Sequence, residues 1–224
     1  MTQNAYLFLN GDYADLEPLA EQARGESLVI GVDGGTQYLL SIGLQPHIII
    51  GDMDSLPQTK LRQFEAQGAT IIRHPPEKDE TDFELALSYA TQHGCDSILV
   101  FGAIGGQVDQ MLANIFLPIQ YMDKASICLI HGTEELFFIS DNASIKGKTG
   151  DILSLIPIAG TVSGVKTTGL RYPLNGEDLL FGKTRGVSNE MLANEARVSI
   201  VSGILLCIHT PPMNVNGQER SHSE

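Results

Sequence analysis

The chain has 224 residues, of which 42% are hydrophobic and 18% charged, enough for a sizeable core and long for a single small domain. Its 14 Lys and Arg against 27 Asp and Glu give a formal charge of −13, which disfavours nucleic acid and anionic membrane and suits a cationic small substrate, or an anionic one escorted by Mg²⁺. The three cysteines, Cys95, Cys128 and Cys207, are read as buried free thiols, and with no metal-ligand His or Cys spacing, no basic leader and no membrane-length apolar run, the expectation is a soluble cytoplasmic protein.

From Tyr6 to about Met122, short apolar runs alternate with helical patterns. The runs are Tyr6 to Leu9, Leu28 to Val32, His47 to Ile50, Thr70 to Ile72 and Ile98 to Phe101, with Ile127 to Ile130 as a candidate sixth; each is short enough to be a buried strand. The clearest helix has Val108, Met111, Leu112, Ile115 and Ile119 on one apolar stripe, among helices expected to cover both faces of the sheet. This alternation predicts βαβ units and a mostly parallel sheet. After about Lys124, β-rich segments separated by turn residues take over: Glu135 to Ile139, Ile152 to Ile156, Thr161 to Thr168, Asp178 to Phe181 and Arg197 to Ile208. The expected organisation is an α/β nucleotide-binding domain over 1–123, an all-β, sandwich-like domain over 124–212 and a flexible tail over 213–224.

Ligands of open parallel sheets bind beyond the carboxyl ends of the strands, so the residues that follow each strand carry the functional signal. Asp33-Gly34-Gly35-Thr36 follows the second run, with glycines that allow close backbone approach and a helix start that can receive an anion. Gly51-Asp52-Met53-Asp54-Ser55 follows the third; two carboxylates at i and i+2 share a side if the backbone stays extended, and they suit a hard cation. The plainer role for Asp54 or Ser55 is to cap the helix starting near Pro57. Lys78-Asp79-Glu80-Thr81-Asp82 and Gly102 to Gln110 follow the fourth and fifth runs, although Thr81 with Glu84 also makes a capping box. Convergence of Asp52, Asp54, Asp79, Asp82 and Asp109 on one mouth would demand a neutralising cation, which points to Mg²⁺-dependent phosphate chemistry.

These motifs, with Gly105-Gly106-Gln107-Val108-Asp109-Gln110, Leu112-Ala113-Asn114, Thr167 to Leu174 and Gly186-Val187-Ser188-Asn189-Glu190, resemble those of the thiamine pyrophosphokinases over most of the chain. The resemblance implies transfer of the terminal diphosphate of ATP to the thiamine hydroxyl, leaving AMP, by a homodimer whose thiamine sites lie where the subunits meet. It implies Asp52, Asp54 and Asp82 as Mg²⁺ ligands and Asp79 or Asp109 as candidate proton acceptors. For ATP it implies Asp33, Gly34, Gly35, Thr36, Lys78, Asp79, Thr81, Gly102, Gly105 and Asp109. For thiamine it implies Tyr172, Ser188 and Asn189, with Gln110 nearby; otherwise Tyr172 is a core aromatic.

Gln107 departs from the pattern, because many members carry Arg there and an amide lacks the charge and fork that suit phosphate. Lys78, Arg171, Lys183 or Arg185 are the candidate substitutes. The rival readings are a diphosphokinase for another alcohol such as a pterin, a Mg²⁺-dependent nucleotide hydrolase, and a nucleotide-binding module without catalysis.

Overall fold

The computed structural model describes residues 3–13 and 27–212. The helix expected between the first two strands and the tail over 213–224 fall outside the described residues. The chain divides into two compact units, Met1–Phe138 and Ile139–Glu224.

The first unit alternates strands and helices: β1 (Gln3–Phe8), β2 (Ser27–Val32), α1 (Thr36–Ser41), β3 (Ile48–Gly51), α2 (Gln58–Ala66), β4 (Thr70–Arg73), α3 (Asp82–Gln92), β5 (Cys95–Phe101), α4 (Val108–Phe116), β6 (Ser126–His131) and β7 (Glu134–Ile139). Its strands lie in the order β7-β6-β5-β1-β2-β3-β4, parallel throughout except where β7 returns antiparallel to β6. Successive residues such as Leu7 and Phe8, or Ile49 and Ile50, are at most 1% exposed. Both faces of these strands are therefore covered, which is why they read as continuous apolar runs. The chain winds outward from β1 through β2, β3 and β4, then lays β5 on the other side of β1. The order reverses there, and a crevice opens beyond the carboxyl ends.

α3 begins where the capping signal placed it, with the Thr81 hydroxyl accepting from the Glu84 amide at 3.2 Å, and it buries Phe83, Ala86, Leu87 and Ala90. α4 departs from its expected packing. Its buried residue is the polar Asn114, while Val108, Leu112 and Phe116 of its apolar side are 66%, 43% and 44% exposed. The change of pattern near Asp123 marks the last helix, whereas the compact unit runs on to Phe138 because β6 pairs with β5 and β7 with β6.

The second unit contains β8 (Asn142–Lys146), β9 (Ile152–Pro157), β10 (Val162–Thr168), β11 (Asn175–Leu179), β12 (Asn189–Glu190), β13 (Glu195–Ser199) and β14 (Leu205–Thr210). They form antiparallel β12-β9-β14 and β11-β10-β13-β8 arrays. Alternate residues of β9 and β13, Leu153 and Leu155, and Ala196 and Val198, are buried, the period-2 signature of strands with one face on a core, whereas β14 buries Leu205, Leu206 and Cys207 in succession. The run expected as one strand from Arg197 to Ile208 is two, broken at Gly203, whose φ of 99° and backbone approach to Val162 no side-chain-bearing residue matches. β8 escapes sequence reading because only Ile145 of its five residues is buried.

Candidate active site

β3 ends at Gly51, and the carboxylates after it converge by a turn, not by the extended backbone expected from their spacing. Met53 has φ 67° and buries its side chain with Ile49, Leu56, Leu61 and Phe64. The Asp54 amide donates to Asp52 Oδ1 at 3.0 Å and the Ser55 hydroxyl to Asp54 Oδ1 at 2.8 Å. An Asx turn pinned by a core methionine thus holds both acids. The capping role considered for Asp54 and Ser55 is absent, since α2 starts after Pro57 with no side-chain cap.

The third member of the cluster is Asp33. Oxygens of Asp33, Asp52 and Asp54 lie within 4.8 Å of one another, and Asp33 Oδ1 is buried without a hydrogen-bond partner among the described residues. An unpaired buried carboxylate oxygen beside two more carboxylates is costly unless a cation shares them. Three hard oxygen donors fit a magnesium-like ion better than a thiophilic one. Asp82, expected as a ligand, is outside this cluster and pairs with Lys78 at 2.7 Å.

A cleft of about 550 Å³ opens at the carboxyl end of the sheet and is bordered by Asp33, Asp52, Lys78, Thr81, Asp82 and Gly105, as the strand-end rule requires. Glu80, Gln107 and Gln110 border it as well. Asp79 and Asp109 are exposed and lie outside its lining. Gly34, Gly35, Thr36 and Gly102 are buried and also stand behind the lining. Their closeness is to the chain itself: a Cβ on Gly35 would sit 2.2 Å from the Phe8 carbonyl oxygen. The glycine expected to admit a ligand therefore seats the turn against β1.

Sequence reasoning missed Asn10 and Gly11, which border the cleft directly after β1. Applying the strand-end rule to the first run, Tyr6 to Leu9, would have found them. Their loop prolongs the β1/β5 pairing, with the Gly11 amide on the Gly102 carbonyl at 2.9 Å and the Asp12 amide on Ile104 at 2.8 Å. The Tyr13 phenol donates to the Leu9 carbonyl at 2.6 Å, and burial pushes its pKa up, so it remains a donor.

In the second unit a smaller cavity of about 270 Å³ is bordered by Tyr172, Pro173, Arg185, Val187 and Asn189. Tyr172 is 67% exposed, so it is not a core aromatic. Asn189 is buried and grips the Tyr172 backbone, accepting from its amide at 3.1 Å and donating to its carbonyl at 2.8 Å. Ser188, held at φ 56°, donates its amide to the Ser154 hydroxyl at 2.9 Å. Arg171 and Arg185 are engaged by Glu190 and Glu177, each at 2.9 Å.

Fold and site together define an α/β phosphotransferase-type enzyme with an appended antiparallel β domain. The family described as "Thiamin pyrophosphokinase, catalytic domain" matches residues 19–130, and "Thiamin pyrophosphokinase, vitamin B1 binding domain" matches residues 142–205. The thiamine pyrophosphokinase of Bacillus subtilis (strain 168) is 32% identical over 193 residues, covering 82% of this chain and 87% of the relative. The crystal structure of a Bacillus subtilis thiamine pyrophosphokinase superposes with TM-score 0.84 at 30% identity, covering 95% of this chain and 100% of that one. That of Geobacillus thermodenitrificans gives TM-score 0.80 at 28% identity, covering 96% and 99%. The chain belongs to the thiamin pyrophosphokinase family, a family of diphosphotransferases.

Proposed function

We propose that the chain transfers the terminal diphosphate of ATP to the hydroxyl of thiamine, giving thiamine diphosphate and AMP, with Mg²⁺ held by Asp33, Asp52 and Asp54. The observation that carries this reading is the carboxylate cluster, whose Asp33 and Asp52 border the same strand-end cleft as Lys78 while Asp54 stands outside its lining, in a chain of this family. Bound there, the ion supplies charge neutralisation at the phosphate oxygens. Lys78, steadied by Asp82, adds a second positive charge and takes over part of the phosphate contact that an Arg in place of Gln107 would make. The thiamine oxygen forms a bond to the β-phosphorus as the bridge to the α-phosphate breaks; the hydroxyl proton is released and AMP leaves with the bridging oxygen. Chemistry of this kind needs alignment more than a covalent nucleophile.

On the thiamine side, the exposed Tyr172 ring offers a stacking face for the pyrimidine or the thiazolium, and Asn189 and Ser188 hold the segments that present it. The proposed assembly is a homodimer: α4 of the first unit leaves Val108, Leu112 and Phe116 exposed, and the second unit leaves Leu180, Phe181, Val187 and Leu192 exposed, large apolar side chains that invite a covering surface. Among the described residues no helix is long and apolar enough to cross a membrane, and the proposed location is the cytoplasm.

Incubation with ATP, Mg²⁺ and thiamine, with the products identified by mass spectrometry, tests the reading. AMP and thiamine diphosphate in equal amounts support it. ADP and phosphate formed regardless of thiamine would replace it with a hydrolase.

A further inference from the structure

α4 turns one polar side chain inward. Asn114 is 7% exposed, borders the active-site cleft, and makes two side-chain hydrogen bonds. Its Nδ2 donates to the Ala103 carbonyl at 3.3 Å, and its Oδ1 accepts from Gln110 Nε2 at 3.0 Å. The direction of both bonds follows from chemistry. A backbone carbonyl can only accept, so the Asn114 nitrogen must face Ala103 and its oxygen must face Gln110. Gln110 must then offer its own nitrogen, one helical turn earlier on the same face. Its Oε1 is left as the acceptor that this residue brings to the cleft it borders.

We infer that Asn114 is a positioning residue that fixes the polarity of the Gln110 amide, so that Gln110 Oε1 selects a ring carrying an exocyclic amino group. This rests on the reading of function above, which supplies two such rings, the aminopyrimidine of thiamine and the adenine of ATP. An amino group donates to Oε1. A ring carbonyl in its place sets two acceptors against each other with no proton between them. Free rotation of the Gln110 amide would erase the distinction, because the nitrogen could then turn toward a carbonyl. The link to Ala103 fixes the Asn114 amide, and the bond from Gln110 Nε2 to the Asn114 Oδ1 so fixed opposes that rotation in the exposed Gln110.

The test compares kcat/KM for thiamine with that for its 4-oxo analogue, and for ATP with that for ITP, in the wild-type protein and in Gln110→Met, Asn114→Ala and Asn114→Leu. Asn114→Leu keeps the buried volume, so the comparison survives if the alanine variant fails to fold. The wild type prefers the amino form of one of the two substrates by about tenfold or more, the scale of one mismatched hydrogen bond. Whichever pair shows the preference identifies the ring that Gln110 meets. All three variants reduce that ratio to within about threefold, because the fixed acceptor is gone. Activity that falls equally for amino and oxo substrates, leaving the ratio unchanged, would make Asn114 merely structural and overturn the inference. A wild-type protein without preference in either pair would overturn it too. A wild-type protein that makes no thiamine diphosphate would overturn the underlying reading of function and this inference with it.

Discussion

Asp33, Met53 and Ser188 adopt φ of 43°, 67° and 56°, a region that residues with a Cβ enter at a cost of about 1–3 kcal/mol. Two of the three shape the carboxylate cluster and the third sits in the segment proposed to serve thiamine, so the local strain coincides with the candidate chemistry. The cluster makes a direct prediction. Millimolar Mg²⁺ raises the Tm of the wild-type protein by several degrees, as a ligand of the folded state must, and the rise disappears in Asp33→Asn; an equal rise in both would remove Asp33 from the site. Met53→Ala removes a buried anchor and lowers stability by about 2–4 kcal/mol in urea titration, with a larger loss in Mg²⁺-dependent activity than in Tm. The thiols give a separate check. Burial pushes the Cys128 pKa up to about 12, with Glu135 adding to it, so at pH 8 its thiolate is scarce and it reacts with a disulfide reagent far more slowly than a free thiol of pKa about 8.5. Of the three cysteines expected to be buried, Cys95 and Cys207 are and Cys128 is half-buried, so fast labelling of Cys128 in the folded protein would contradict its raised pKa. At this scale the Asp52 and Asp54 pair was legible because carboxylates after a strand are conspicuous. The part of Asp33 was not, since it depends on the parallel pairing that sets Val32 beside Ile50 and on the turn through Met53 that gathers Asp52 and Asp54 next to it. That Asp82 stands outside this cluster and pairs with Lys78, four residues away, is likewise a matter of placement that sequence spacing does not show.

The elements were legible wherever burial left a periodic trace. The parallel strands announce themselves as apolar runs because both faces are covered, and α3 because its cap and stripe agree. α4 was legible as a helix and misleading as a packing unit. Its stripe gives the same pattern whether it covers a sheet or awaits another surface, and only the burial of Asn114 against Ala103 separates the two. If the exposed stripe is a subunit contact, Leu112→Glu weakens self-association by about 30-fold or more, the loss of one buried apolar anchor, as read by analytical ultracentrifugation. A wild-type protein that sediments as a monomer at micromolar concentration would oppose the dimer. The segment after β1 shows the opposite failure: Asn10 and Gly11 had a plain sequence signal, strand end followed by turn residues, at the one strand where the rule was not applied.

For the whole molecule, the division of labour follows from topology. A parallel sheet whose order reverses beside β1 supplies a crevice with loops from several strands, and the antiparallel unit supplies the loop that carries Tyr172 and the start of β12 at Asn189, at their own cavity. Net charge of −13 suits a protein that receives a cationic vitamin and handles phosphates through a metal ion. On the proposed function, diphosphate transfer depends on the Asp33, Asp52 and Asp54 cluster. The measurement that meets it most directly is the rate of AMP and thiamine diphosphate formation by the wild-type protein and by Asp54→Asn, with Mg²⁺ and both substrates saturating. The expected outcome is equal amounts of the two products from the wild type and at least a roughly 100-fold slower rate, on the order of 3 kcal/mol of lost transition-state stabilisation, from a variant whose Tm is within a few degrees of the wild type. A folded Asp54→Asn protein that forms both products at the wild-type rate would contradict it.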